Sequence, residues 1–382
     1  MPEINTPKQG DEGEHRFITL FMCGDVMTGR GVDQVLPYPG DPRIYETYVQ
    51  DARIYVELAE RRNGPVKKPV PWSYIWGDAL SELNLRSPDL RIINLETAVT
   101  TSNDYCKYKG INYRMHPKNI PVLMAAGIDV AVLANNHVID WGDQGLIETL
   151  DTLRSAKIRQ AGAGRNIQEA ESPAVMEIAG KGRVLVFSFG LNSSGIPDEW
   201  AASDDRPGIA LAPDLSEKTV HRLRNKISEI RQQGDIVIAS VHWGGNWGYR
   251  VSSAEQRFAR AIIDEAGVDI VHGHSSHHAR GIEVYRDKPI IYGCGDFIND
   301  YEGIGGLEEY RGDLALMYFI TMDPQNGNLM ELHISPMQIR NLQLNRVSPT
   351  DATWLKEILS REGKALGTRV KIQKDNSLSI HW

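Results

Sequence analysis

The sequence predicts an α/β fold, and three observations carry that expectation. Short apolar runs rich in Val and Ile recur along the chain: FITLFMCGD (17–25), LRIINLE (90–96), DVAVLANNH (129–137), RVLVFSFG (183–190), DIVIASVHWG (235–244), VDIVHGH (268–274) and KPIIYGCGDF (288–297). Runs this short and this continuous suit strands buried on both faces. Amphipathic helical patterns lie between several of them, and each run ends in polar or Gly-rich residues. Strand alternating with helix is the pattern of an α/β architecture.

Each element has its own signature. Residues 1–16, MPEINTPKQGDEGEHR, are polar, with neither a basic n-region nor an apolar h-segment. They are expected to form a disordered tail rather than a secretory signal. Residues 34–78, rich in Pro, Tyr and Trp, read as an insertion of loops and a helix over the sheet. DQGLIETLDTLRSA (143–156) places Leu146, Leu150 and Leu153 on one helical face. Residues 192–215 read as a long loop, a feature often tied to function. SEKTVHRLRNKISEIRQQG (216–234) turns Val220, Leu223, Ile227 and Ile230 inward. SSAEQRFARAIIDEAG (252–267) opens on a Ser cap followed by Glu255 and Gln256, carries Phe258, Ile262 and Ile263 on one stripe, and stops at Gly267. One large domain is expected over 17–345, followed by a C-terminal extension, 346–382, with one helix and a polar end. There is no internal repeat.

Composition narrows the function classes. The chain has 382 residues and a net charge of −8, and its basic residues are scattered apart from short pairs such as Lys67-Lys68. That speaks against a nucleic-acid partner and against attraction to anionic lipid. No run approaches the roughly 18 apolar residues that a membrane span needs. Three widely spaced cysteines, Cys23, Cys106 and Cys294, indicate neither a disulfide framework nor a Cys zinc site. A reduced, cytoplasmic setting is expected. Oligomeric state is left open by these patterns.

The chemistry gathers just past the apolar runs. There stand Asp25, Glu96, Asn135-Asn136-His137, His242, and the pair His274 and His277. Ligand sites in α/β sheets collect beyond the carboxyl ends of strands. A lone Asp there is usually a cap and a lone His usually a packed one. Carboxylate, amide and imidazole delivered together from several strand ends suit a divalent ion, Zn, Fe or Mn. One or two such ions lower the pKa of a bound water and clamp reacting oxygens.

The ordered set GDVMTGR (24–30), NLET (94–97), LANNHVIDWGDQGLIETLDTL (133–153), AGAGRN (161–166), SVHWG (240–244), GHSSH (273–277) and GDF (295–297) resembles the CapA family of poly-γ-glutamate capsule biosynthesis proteins. That family lies within the calcineurin-like metallophosphoesterases. The resemblance runs from about Phe17 to about Ile339. It implies a four-layer α/β/β/α sandwich with a metal centre at its rim. Carried over by position, it makes Asp25, Glu96, Asn136, His242, His274 and His277 metal ligands. It makes His137 a general acid or electrophile facing the substrate. Asp140 is expected to orient His137, since carboxylates commonly hold catalytic or ligating imidazoles.

The chain departs from the family pattern in places. Asp25-Val26-Met27 replaces Asp-x-His, so one site lacks an imidazole; the expected count is one ion held tightly, with or without a second. GHSSH stands for GHHPH, and GDF for GNF. Asp296 reads as a ligand, a base or a turn residue, the last preferred because Asp after Gly favours turns. His272 reads as a buried structural histidine and His278 as an exposed neighbour. Arg30 reads equally as an anion clamp or a surface salt bridge, whereas Arg165 reads as a surface salt bridge. Trp243, Trp247 and Tyr249 are expected to wall a substrate pocket.

The resemblance implies a metal-dependent hydrolase linked to capsule or poly-γ-glutamate production. It would attack a phosphoester or amide through a metal-bound hydroxide, with His137 assisting the leaving group. The expected substrate is an anionic small molecule or peptide. Two alternatives share the fold: a metal-dependent peptide epimerase using His137 and Asp296 as opposed bases, and a non-catalytic scaffold with one structural metal. The family's usual N-terminal anchor has no counterpart here, which places the expected protein in the cytoplasm.

Overall fold

A computed structural model describes residues 17–382. The expected tail, 1–16, lies outside the described residues. Two sheets dominate. The larger has ten strands, and its main path runs 369–372, 378–381, 328–339, 314–323, 18–26, 90–95, 130–132, 159–161. Two short strands join off that path. Asp296–Ile298 pairs parallel to Ile18–Val26, and Leu344–Arg346 pairs with Asn328–Ile339. The smaller sheet has six strands, in the order 282–285, 288–291, 270–274, 236–242, 182–190, 174–178.

Alternation along the strands sorts most of the core into three large apolar clusters. Ile18, Leu20 and Met22 pack with Ile236, Ile238 and Ile270, one cluster drawn from both sheets. Their neighbours in sequence point the other way. Phe21 and Cys23 join Leu146, Leu150 and Leu153 of the Gly142–Ser155 helix. Val237, Ala239 and Val271 join Val220, Leu223 and Ile227 of the Glu217–Ile230 helix, with Phe258 and Ile262 of the Ser253–Asp264 helix. This is a mixed α/β fold in which helices cover sheet faces. Ser252 caps the Ser253–Asp264 helix with a full capping box to Glu255, which satisfies two orphan donors at once.

Most strand signatures coincide with observed strands, for example Ile236–His242 and Ile270–His274, but the run 129–137 holds only Val130–Val132 and the run 288–297 is split into Lys288–Ile291 and Asp296–Ile298. Three other regions differ. Leu314–Asp323 and Asn328–Ile339 form a long antiparallel hairpin at the centre of the larger sheet. The segment 192–215 carries a two-residue strand, Gly208–Ile209, paired to Ala163–Gly164. The C-terminal segment has more than one helix and a polar end. After the Pro349–Gly363 helix, Arg369–Ile372 and Leu378–His381 add two strands to the larger sheet. Val370, Leu378 and Ile380 lie in the inter-sheet cluster. Leu378→Ala is therefore expected to cost about 2–5 kcal/mol of stability, read from a urea unfolding midpoint. A surface-like change under 0.5 kcal/mol would show that the C-terminal strands are dispensable.

Candidate metal centre

The parallel strands 18–26, 90–95 and 130–132 of the larger sheet, and 236–242 and 270–274 of the smaller, deliver their carboxyl ends to one rim. The pairing Ser240↔His272 and His242↔His274 puts these four residues side by side on the face that carries Ile236, Ile238 and Ile270. The strand before Asp25 does not alternate simply. Its register shifts between Met22 and Asp25, and such irregularities re-aim a side chain. Gly24 is required there. A Cβ at this position would fall 1.8 Å from the Gly295 carbonyl oxygen. That close approach lets Asp25 N–H donate to the Gly295 carbonyl and brings the strand holding Asp296 alongside, in the register Asp25↔Asp296.

Asp25 is fully buried. Its Oδ1 accepts a hydrogen bond from Asn94 Nδ2 at 2.8 Å, while its Oδ2 has no hydrogen-bond partner. Burial, reinforced by the charge on Asp296, pushes its pKa up to about 7 against the opposing effects of His277, Asn94 and Glu96. Glu96 shares the Asn94 amide, at 2.7 Å, and burial next to Asp25 raises its pKa well above the usual range. Asn94 is held in turn by Asn135, whose Nδ2 donates to Asn94 Oδ1 at 2.9 Å and to the Leu95 carbonyl at 2.8 Å. Asn135 Oδ1 accepts from the amides of His137 and Val138, fixing the turn that presents Asn136 and His137.

Across the rim, His242 Nδ1 and His274 Nδ1 lie 2.7 Å apart. His242 Nε2 is 3.2 Å from Asn136 Oδ1 and 3.8 Å from a Glu96 oxygen. Burial holds both imidazoles far below their usual pKa, so both are neutral and offer lone pairs. Ligand atoms of Asp25, His242 and His274 all lie within 4.8 Å of one another. An orphaned buried carboxylate oxygen beside two neutral imidazoles, with Asn136 and Glu96 oxygens near His242, is a donor set that fits a divalent ion.

A second group shares Asp25: Asp25, His277 and Asp296. His277 Nδ1 and Asp296 Oδ1 are 2.8 Å apart, and Asn299 donates to Asp296 Oδ2 at 2.8 Å. Burial alone lowers the His277 pKa, but Asp296 outweighs it and the pKa is raised. This group is internally satisfied, and an ion here would replace the His277–Asp296 bond. Asp296 is thus a buried strand residue, not the expected turn residue. Its Oδ1 faces His277 and its Oδ2 faces Asn299.

His137 is the third held imidazole. Its Nδ1 lies 2.6 Å from Asp140 Oδ2, which also accepts from the Tyr113 amide at 2.6 Å. Lys109, which nothing in the sequence pattern singles out, reaches the same place. Its Nζ donates to Asp140 Oδ1 at 2.6 Å and to the Asn136 carbonyl, and sits 3.1 Å from His137 Nδ1. Burial first, then Lys109, lowers the His137 pKa to about 4 against Asp140. At neutral pH the ring keeps its one proton on Nδ1, facing Asp140, and leaves Nε2 bare. Lys109→Met is expected to raise the His137 pKa, measured by NMR titration of the imidazole. An unmoved titration would remove Lys109 from this role.

Several expectations are corrected. Arg30 is neither an anion clamp nor a surface salt bridge. It is buried, its fork is filled by Asp300 and Glu46, and it stacks 3.6 Å from the Tyr55 ring centroid. His278 is not exposed: it packs between Tyr249 and Tyr310 at 2% exposure. Trp243 is a core residue, donating to the Tyr292 carbonyl at 2.9 Å, so it does not wall a pocket. Trp247 and His277, 5.3 Å apart between centroids, do line a cavity of about 590 Å³, together with Arg30, Tyr301, Arg62 and Arg340. Arg165 pairs with Asp151 and Glu169 in a half-exposed network. His272 is buried and bonds Cys23 O and Ser240 rather than facing the centre. Ser275, between His274 and His277, has φ +98°, a conformation that side-chain-bearing residues rarely adopt and that strained functional sites retain.

Comparison with known proteins adds an independent line. Residues 19–301 match the family model described as bacterial capsule synthesis protein PGA_cap. A probable polyglutamine synthesis accessory protein of Mycobacterium tuberculosis is 45% identical over 369 residues, spanning 96% of this chain and 97% of the relative. The capsule biosynthesis protein CapA of Bacillus anthracis is 23% identical over 327 residues, 86% of this chain and 69% of the relative. The PGA biosynthesis protein CapA of Bacillus subtilis is 27% identical over 300 residues, 78% and 67% respectively.

Proposed function

Because this chain belongs to the PGA_cap (CapA) family of bacterial capsule synthesis proteins, we propose that it is a metal-dependent hydrolase acting on a phosphoester or amide in polyglutamate or capsule production. The observation that carries the reading is the buried, unpartnered Asp25 Oδ2 beside the paired Nδ1 atoms of His242 and His274. In this reading Asp25, His242 and His274 hold one ion tightly, with Asn136 and Glu96 completing its surroundings. His277 and Asp296 supply a second, weaker position. The two packed sheets with helices outside them are read as the four-layer sandwich of the metallo-dependent phosphatases, which the clustering of the core supports.

When bound, a divalent ion there supplies Lewis acidity and acidifies a water. The chain's own residues do the rest. His137, held by Asp140 through Nδ1, offers a bare Nε2 that takes a proton and returns it to the leaving group. Trp247 and Tyr301 line the cavity beside His277, each with its ring against the imidazole. Arg62 and Arg340 line the same cavity and suit a substrate bearing carboxylates or phosphates. No described helix is long and apolar enough to cross a membrane.

The test is metal content by ICP-MS on protein purified without added metal or affinity nickel, with Asp25→Ala and His137→Ala alongside. The expected result is about one ion of Mn, Fe or Zn per chain, lost with Asp25→Ala and retained with His137→Ala. Absence of metal, on purification and on titration, would end the hydrolase reading. Turnover is then sought with aryl phosphates and γ-glutamyl amides.

A further inference from the structure

His272 and Ser240 are not among the proposed ligands, yet both are completely buried and Ser240 lies against His274. His272 Nε2 lies 2.8 Å from the backbone carbonyl of Cys23. Its Nδ1 lies 3.0 Å from Ser240 Oγ, and the same oxygen lies 2.8 Å from His274 Nε2. His274 Nδ1 then faces His242 Nδ1. Four groups stand in one unbranched line that ends at a candidate ligand atom.

The direction of every bond in that line follows from its far end. A carbonyl oxygen only accepts, so His272 Nε2 carries the hydrogen. With that hydrogen on Nε2, His272 Nδ1, which faces the Ser240 hydroxyl and no carboxylate, is the accepting nitrogen. The donor is the Ser240 hydroxyl, which has one hydrogen and spends it there. The Ser240 oxygen therefore receives from His274, and the donor is His274 Nε2–H. A neutral His274 has no second hydrogen. Its Nδ1 is bare and aimed at the centre.

We infer that His272 and Ser240 are positioning residues that hold His274 as the Nε2–H tautomer, so that Nδ1 is the ligand atom. The Cys23 carbonyl belongs to the larger sheet, while His272, Ser240 and His274 belong to the smaller one. The relay therefore spans the two sheets and ties the ligand's proton position to their packing. Outer hydrogen bonds of this kind fix ring orientation and tautomer in metal sites generally, and their loss typically costs 10–100-fold in metal affinity. The sequence already holds the reason for the spacing. His272 and His274 are two residues apart on one strand and so share a face, and Ser240 is the register partner of His272 on the neighbouring strand.

The inference rests on the proposed metal centre for its purpose, but its tautomers are measurable without metal. The experiment is long-range ¹H–¹⁵N correlation NMR on EDTA-treated, ¹⁵N-histidine-labelled full chain, wild type, Ser240→Ala and Ser240→Thr, with Mn and Zn titrations of each in parallel. In the wild type, His272 and His274 should both show the Nε2–H pattern. Ser240→Ala should scramble the His274 tautomer and weaken metal binding about tenfold or more, while Ser240→Thr, which keeps the hydroxyl, should restore both. A wild-type His274 protonated on Nδ1 overturns the relay, and needs no variant to fold. So does a His274 signal indifferent to Ser240→Ala. If the tautomers are as expected but wild type binds neither Mn nor Zn, the hydrogen-bond line stands and both the hydrolase reading and the ligand role of His274 fall.

Discussion

Metal-free protein carrying Asp25→Asn is expected to be more stable than metal-free wild type at pH 7 and above. The Asp25 carboxyl is buried, and one of its oxygens has no hydrogen-bond partner. Its pKa is raised to about 7, from an unfolded value of about 3.9. The sign follows from proton counting. Between pH 4 and pH 7 the unfolded chain has released the proton and the folded chain still holds it. Stability therefore falls as pH rises through that window, and the whole penalty is present above it. A shift of this size corresponds to a few kcal/mol, at order of magnitude. Asparagine keeps an oxygen that accepts from Asn94 and removes the buried charge. Urea unfolding of EDTA-treated protein at pH 5 and pH 8 checks the point. Wild type should lose stability between the two and Asp25→Asn should lose much less. Added metal should reverse the ranking, because only wild type binds it and binding stabilises by mass action. If Asp25→Asn is the less stable protein at pH 8 without metal, Asp25 is a structural acid and the centre has been misassigned.

This tension between stability and site explains which parts of the molecule the sequence discloses. The parallel strands are legible because both of their faces are buried, which forces continuous apolar runs. Their ends are legible because the polar residues that stop each run are the ones that form the proposed centre. Asp25, Glu96, Asn136, His242 and His274 could be picked out on that ground. The central hairpin 314–339 is less legible. LALMYFITMD opens on a continuous apolar run, Leu314 to Ile320, whose periodicity leaves helix and strand undecided. The C-terminal strands are short, and Arg369–Ile372 is half polar, because it lies at the sheet edge.

Residues brought in by irregular segments leave even less trace. Lys109 sits in a segment with no periodicity, and only the folded chain places it against Asp140. Asn94 lies inside the NLET run, where a polar residue on a buried strand was itself the available signal. Asp296 follows Gly295, which mimics a turn. Its strand is three residues long and is defined by a neighbour some 270 positions earlier in sequence. His278 is buried by Tyr249 and Tyr310, contacts that local pattern cannot encode. Arg30 looks like a free guanidinium until Glu46, sixteen residues on, and Asp300, 270 residues on, fold against it.

His137→Ala is expected to lower kcat by about 10²–10⁴-fold while leaving metal content unchanged, the range typical for loss of one positioned proton-transfer group. The argument is geometric. His137 is adjacent in sequence to Asn136, but its ring is committed through Nδ1 to Asp140 and not to the His242–His274 pair. The charge of His137 is one of the causes that lower the His242 pKa, so the two imidazoles are neighbours. Asp140→Asn separates orientation from chemistry. It keeps the imidazole but breaks the charged bond to Nδ1 and leaves Lys109 Nζ without its carboxylate. Its kcat should fall as well, and the pH profile should move with it. The His137 pKa, about 4 in the intact site, drops further once the one carboxylate that raises it is gone. The acid limb of kcat/KM, set by protonation of the bare Nε2, should then shift to lower pH in Asp140→Asn and to higher pH in Lys109→Met. Opposite movements from the two partners of one imidazole are what a catalytic His137 requires. Should both variants change rate without moving the limb, His137 is a structural residue of the turn, and proton transfer belongs to His277 and Asp296 on the other side of the centre.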